Sequence, residues 1–415
     1  MNNVISMEKI KNKANGDINW KYITYTAKGD IVPEKVWENL EVLLNHHNIK
    51  LKLNDINHEI YFSNLNDANS RNGKITDIVS LQAREGLRMP RNEVELSVKR
   101  IAEQHSFNPF IEMVQANANE DYKIIAEVFD CLHINPEYEK FYELFQTLFT
   151  KWAINVVKLA HNTLEKGYRG QGVLILQGGQ GGRKSTFFEK LMPNKEFFKG
   201  DMSLNPENKD SVMQNTKYIL VEWGEIDSTM KGEQAKLKQF ITANDDEYRA
   251  AYERVAERYP RITSYCGSVN KTDFLKDETG SRRFWVIPVV DKCNISKLES
   301  IDINKFWGAV YSLWKSGTVL DYLPPEEEKI LAELNSSFNY ETDTTIILNE
   351  ELDWESEDDE WEVYSITEIC RYLSIKDKKQ LKIELEKKGL KYQSHRRPGR
   401  NNKKGFRIPR IVNIF

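Results

Sequence analysis

Apolar residues recur along this chain in more than one rhythm. In "VPEKVWENLEVLLNHH", Val36, Leu40, Leu43 and Leu44 stand at helical spacing behind Pro33, whose ring suits a first helical turn, so a helix is expected there. "EIYFSN" alternates like a short strand, while "TDIVSLQAREG" and "RNEVELSVKRIAEQ" read as helices; residues 1–105 are therefore a small α+β region, with DNA binding or loading as its expected part. In "YEKFYELFQTLFTKWAINVVKLAHNTLEKG" bulky apolar residues return at helical intervals up to Gly167, which predicts one long buried helix as a lead-in over 106–169.

From Gly170 the pattern changes. The runs "GVLILQ", "KYILVEW", "RITSYCGSVN" and "RRFWVIPVV" alternate with the helical stretches "STFFEKLM", "GEQAKLKQFITA" and "INKFWGAVYSLWKSG". Short apolar runs between helices are strands buried on both faces, so residues 170–320 are expected to form an α/β core with a mostly parallel sheet. A charged helix and an acidic linker follow over 321–360. Residues 361–415 read as two short helices, a strand, a basic loop and a strand, the order of a winged helix.

With 415 residues, 40% apolar and 29% charged, the chain has the composition of a soluble protein of several domains. Its net charge of -4 hides an asymmetry: "EELDWESEDDEWE" holds nine acids and no base, whereas the last 25 residues hold eight Lys or Arg and no acid. A polyanion would meet the carboxyl-terminal end first. Cys131, Cys266, Cys293 and Cys370 are scattered, without the spacing of a disulfide framework or a zinc site. No apolar run is long enough for a membrane span and the amino terminus is too polar for an export signal, so a cytoplasmic protein is expected.

The stretch "LILQGGQGGRKSTFFEKL" carries the first chemistry. A strand, then G-x-x-x-x-G-K-[ST], then a helix is the setting in which backbone N–H groups and a helix amino terminus face phosphate. Gly178, Lys184 and Ser185 match, but Arg183 stands where the second glycine belongs. Lys184 would neutralise the β and γ phosphates of a nucleotide, and Ser185 would offer its hydroxyl to Mg²⁺. Gly179, Gln180, Gly181, Gly182, Arg183 and Thr186 complete the expected nucleotide contacts. Gly182 can take the tight turn one residue early, so φ at Arg183 is expected to be negative. Glu222 and Glu225 follow a buried strand; Glu222 is assigned to the Mg²⁺ shell and Glu225 to the attacking water, with the roles exchangeable. Asn270 ends the next strand, where a γ-phosphate sensor would sit. Arg282 and Arg283 precede the last apolar run and would stabilise charge on a transferring phosphoryl group. Arg396, Arg397, Arg400, Lys403 and Lys404 concentrate charge at the wing tip, which suits duplex DNA phosphates.

Together "GGQGGRKSTFFEKL", "VEWGEID", "LKQFITANDDEYRAAYERVAERYPR" and "SVNKTDFLKDETGSRRFWVIPV" resemble the virulence-associated protein E family, superfamily 3-like AAA+ helicases of phages and mobile genetic elements. The resemblance covers about residues 106–320, and the family usually has glycine where Arg183 stands. It implies an AAA+ P-loop core in a hexameric ring, with ATP and Mg²⁺ between subunits and Arg282 or Arg283 entering from the neighbour. It also implies 3′ to 5′ movement on single-stranded DNA, with Arg249, Arg254 and Arg258 tracking phosphates, beside other replication proteins in a bacterial host cell. The alternative is a DNA-binding ATP switch that assembles on an origin without unwinding it.

Overall fold

The computed structural model describes residues 18–65, 70–224, 234–249, 255–275, 281–339, 343–357, 360–397 and 400–411. The chain divides into two units, one of Met1–Lys271 with Thr279–Leu334 and one of Thr272–Glu278 with Asn335–Phe415.

The first unit opens with a hairpin of β1 (Ile23–Tyr25) and β2 (Ile31–Pro33), then α1 (Trp37–His46). A second pair, β3 (Leu51–Leu53) and β4 (Ile60–Phe62), precedes α2 (Arg71–Arg84) and α3 (Arg91–Glu103). Leu40, Leu43 and Leu44 of α1 share a core with Val94, Val98 and Ile101 of α3. Pro33 closes β2 instead of opening the helix, a correction to the sequence reading. Buried Asn39 explains the later start: its amide donates to the carbonyls of Tyr22 and Glu34 and its oxygen accepts from Lys21 and Tyr22 N–H, fastening the hairpin to the first helical turn.

Helices α4 (Pro109–Ala116), α5 (Lys123–Phe129) and α6 (Tyr142–Ala160) follow. A 3₁₀ turn, Pro136–Phe141, replaces the first part of the expected long helix, and α6 stops well before Gly167. Asn162 diverts the chain: its side chain binds both the N–H and the carbonyl of Tyr168 and donates to Arg261 O, offering the backbone partners outside the helix.

The central sheet consists of β5 (Val173–Gln177), β6 (Phe198–Met202), β7 (Leu220–Trp223), β10 (Ser264–Val269) and β11 (Phe284–Pro288). Helices α7 (Lys184–Leu191), α8 (Lys209–Asn215) and α9 (Gln234–Ile241) connect its early strands, and the hairpin β8 (Asp245–Tyr248) with β9 (Glu257–Pro260) precedes β10. The strand order is β11-β5-β10-β7-β6 and every pairing is parallel. Helix α6 packs on the sheet and meets α7 through Phe149 and Phe187, 6.4 Å apart, and Trp152 and Phe188, 5.9 Å apart. Helices α10 (Ile295–Ser300), α11 (Ile303–Ser316) and α12 (Pro325–Ser336) follow, with Trp307 Nε1 of α11 donating to Leu191 O over 2.7 Å.

In the second unit α13 (Asp343–Glu351), β12 (Glu362–Tyr364), α14 (Ile366–Tyr372), α15 (Lys378–Lys387), β13 (Gln393–Arg397) and β14 (Arg400–Ile408) surround Leu348, Ile369, Leu381, Leu385 and Phe406. Its antiparallel sheet runs β12-β14-β13. Ser365 and Glu368 form a capping box at the start of α14. All four cysteines are free and buried. Among the described residues no helix is long and apolar enough to cross a membrane.

Arg261, at the foot of the β8–β9 hairpin, is 1% exposed and stacks over the Phe240 ring at 4.0 Å. Asp246 takes both Nε and Nη2 of its guanidinium, and Nη1 donates to Phe240 O over 3.0 Å. Asp246→Ala leaves that charge buried without its counterion and should cost about 3–5 kcal/mol in denaturant unfolding, with most of the loss recovered in Asp246→Leu/Arg261→Met. Unchanged stability of the single variant would refute this account of the hairpin.

Candidate functional site

Strand β5 is buried at all five positions and delivers the glycine-rich loop to the carboxyl edge of the sheet. Its sheet neighbours are β11 and β10, while the next strand in the chain, β6, lies at the far edge. A parallel sheet opens a crevice where its connections part in this way, beyond the strand ends. Gly178 N–H donates to Val269 O over 3.0 Å, and a Cβ there would lie 2.2 Å from Val289 O, so only glycine fits. Gly181 has φ 81°.

Arg183 has φ 55° and ψ 28°, left-handed, which corrects the negative φ expected from the sequence. Gly182 does not take over the turn because it is held from the other side: its carbonyl accepts Cys293 N–H at 2.9 Å and its α-carbon faces Asp291 O. The strain therefore falls on the residue immediately before α7, at a cost of roughly 1–2 kcal/mol for a side chain other than glycine.

Four elements bring the polar groups together. Lys184 Nζ, from the start of α7, donates to Gly178 O at 2.7 Å, Gly179 O at 2.8 Å and Asn270 Oδ1 at 3.0 Å. Glu222, on β7, is 2% exposed; its Oε1 accepts from Ser185 Oγ at 2.6 Å and Ser268 Oγ at 2.9 Å. Burial pushes the Glu222 carboxyl above its usual range, against the two hydroxyl bonds and Lys184, while the Asp201 charge pushes it further up. Burial likewise lowers the Lys184 ammonium. A cavity of about 410 Å³ opens over Ser185, Thr186, Asp201, Glu222, Ser268 and Asn270. Gly179, Gln180 and Gly181 are exposed along the loop.

Sequence reasoning missed Ser268 and Asp201. Ser268 stands two residues before Asn270 in "SVN", and that spacing of polar residues at the end of an apolar strand was the available signal. Asp201 sits in "FKGDM", whose glycine and charges conceal an edge strand.

Arg282 and Arg283 precede β11, whose Phe284 pairs with Val173 at the start of β5, so they occupy the opposite edge of the sheet from the loop. Arg282 Nη1 contacts both carboxylate oxygens of Glu328, at 3.3 and 3.4 Å. Among the described residues Arg283 Nε is buried with no hydrogen-bond partner, and burial followed by the neighbouring Arg282 charge lowers its pKa. Arg249 is exposed just past β8, and Arg258 on β9 pairs with Asp245 at 2.7 Å. Glu225 and Arg254 lie outside the described residues, as do the side chains of Arg396, Arg397 and Arg400. Lys403 is engaged by Glu368 at 2.7 Å, and Lys404 Nζ lies 5.7 Å from the Tyr392 ring centre.

Fold and site thus define an α/β protein in which a glycine-rich loop, a lysine, a buried glutamate and two hydroxyls meet at the carboxyl edge of a parallel sheet. A family model for the virulence-associated protein E-like domain matches residues 122–340, over half of the chain, and the chain belongs to that family. One solved structure, the A-form apo C-terminal region of NrS-1, is similar at 12% identity over 85% of this chain and 86% of that one, with a TM-score of 0.45. Another of the same region gives 14% identity over 85% of each chain, with a TM-score of 0.41. No curated protein matches.

Arg183→Gly removes the left-handed strain and should stabilise the chain by about 1 kcal/mol in denaturant unfolding; a destabilised variant would show that the arginine side chain makes good its own strain. In the second unit, the Lys403 bond and the Ser365 cap lower the Glu368 pKa from 4.5 to about 2. A depressed carboxyl contributes stability that is complete above its unfolded value and fades as pH falls through the folded one. The gap in melting midpoint between the parent and Glu368→Gln should therefore be widest above pH 4.5 and close toward pH 2. A gap independent of pH would contradict the ion pair.

Proposed function

We propose that this protein is an ATP-driven DNA helicase of a phage or mobile genetic element, working as a ring of subunits, six by the family resemblance, whose nucleotide sites lie between neighbours. The convergence of Lys184, Ser185, Glu222 and Asn270 at the loop after β5 supports this best. The residues fit a magnesium nucleotide. Lys184 Nζ is bound to the loop's own carbonyls and to Asn270, partners that phosphate oxygens can replace. Ser185 Oγ and the Glu222 carboxylate are hard oxygen donors suited to Mg²⁺, which would supply charge neutralisation on the phosphates. Lys184 would hold the terminal phosphates and Asn270 would sense the last of them. The raised Glu222 and lowered Lys184 pKa values are each relieved when a group of opposite charge arrives.

The arginines support the ring. Between them and the loop runs the length of β5, five residues or roughly 17 Å at strand rise. Arg282 or Arg283 would therefore serve the nucleotide of a second copy. For DNA, the β8–β9 hairpin offers Arg249 and Arg258 to a single strand. We read the second unit as a winged helix, with α14 and α15 as its helix pair and β13–β14 as a basic wing for duplex phosphates.

Lys184→Ala should abolish binding of a fluorescent ATP analogue and all unwinding of forked DNA. Mixing it with Arg282→Ala/Arg283→Ala, itself expected to be inactive, should recover part of the ATPase, because one chain supplies the loop and the other the arginine. No recovery at any mixing ratio would exclude arginine donation between copies. DNA-stimulated hydrolysis that never opens a duplex would favour the origin-binding switch.

A further inference from the structure

Strand β6 departs from regular pairing with β7 beside Glu222. Lys199 pairs with Val221 and Met202 with Trp223, so Gly200 and Asp201 together stand opposite the single Glu222. Two residues against one is a β-bulge, a device that re-aims a side chain. Asp201 has φ 55°, a left-handed conformation that costs an aspartate energy. Its Oδ1 lies against the α-carbon of Gly224, where a Cβ would come within 2.1 Å. Asp201 lines the same cavity as Ser185, Glu222 and Ser268. Glu222 is tied to both hydroxyls through Oε1, whereas Asp201 lines the cavity from the neighbouring strand β6.

We propose that Asp201 is a further catalytic residue, the carboxylate that orients and deprotonates the water attacking the γ-phosphate; this rests on the nucleotide-site reading above. The water oxygen bonds to the γ-phosphorus while the bond to the β–γ bridging oxygen breaks. ADP leaves with that electron pair, the water proton passes to Asp201, and Asp201 then releases it to solvent. Glu222 stays with Ser185 and the metal shell, and Asp201 takes the attacking water that the sequence reading gave to Glu225, a residue outside the described ones. The bulge brings two carboxylates to one cavity despite their repulsion, and the division of roles accounts for both.

Asp201→Asn is the decisive variant because asparagine also accepts left-handed φ and preserves the bulge. Three quantities are measured with Mg²⁺ present: affinity for a fluorescent ATP analogue, retention of an ADP–fluoroaluminate complex, and steady-state kcat. The expected result is affinity within about threefold of the parent, kcat lower by about 10²- to 10⁴-fold, and no long-lived fluoroaluminate complex. Asp201→Glu should regain part of kcat. An unchanged kcat in Asp201→Asn, or affinity lost in step with kcat, overturns the assignment while leaving the nucleotide site standing. A parent chain that binds no nucleotide overturns the site and this role together.

Discussion

Glu222 is the constraint around which the site is assembled. A carboxylate at 2% exposure is costly unless hydrogen bonds replace its water, and here the hydroxyls of Ser185 and Ser268 do so. Those bonds tie β7 to the first turn of α7 and to β10, so one buried charge sets the spacing of three elements. Lys184 is its counterpart, 6% exposed and held by carbonyls of its own loop. Neither group ends fully compensated, since burial still pushes the acid up and the base down. A site with an underpaid anion and an underpaid cation at its two sides is suited to a ligand that carries both signs.

Three left-handed residues stand at the same edge of the sheet. Arg183 after β5, Asp201 at the end of β6 and Asp291 after β11 all have φ of 55° or 56°. Left-handed residues other than glycine persist where their surroundings over-determine them. For Arg183 the surroundings are explicit, because Cys293 N–H and Asp291 O hold Gly182 from the other side. The loop is thus braced by the segment after β11, and changes there will be felt at Lys184.

Much of this was legible in the sequence because β5, β7, β10 and β11 are short apolar runs with both faces covered, and such runs stand out among helices. Lys184, Ser185, Glu222 and Asn270 followed from their places at the ends of those runs. The edge strand β6 did not stand out: only one of its faces is covered, and with Lys199, Gly200 and Asp201 between them Phe198 and Met202 are too sparse to read as an apolar run. Pro33 and the end of α6 were misread for a shared reason. In each case an asparagine side chain, Asn39 or Asn162, reaches residues distant in the chain and overrides the local periodicity. Arg183 shows the reverse limit, because its strain is dictated by Cys293 and Asp291, which no local pattern connects to the loop.

The position of Arg282 and Arg283 follows from register alone. Phe284 pairs with Val173 and Pro288 with Gln177, so β11 and β5 run side by side for their whole length. The arginines stand before the first pair and the glycine-rich loop begins after the last. No rotamer closes a separation fixed by two parallel strands, and bending the strands would break the ladder that buries them. Any part these arginines take in phosphate chemistry would therefore be played on another molecule, as the proposed ring requires.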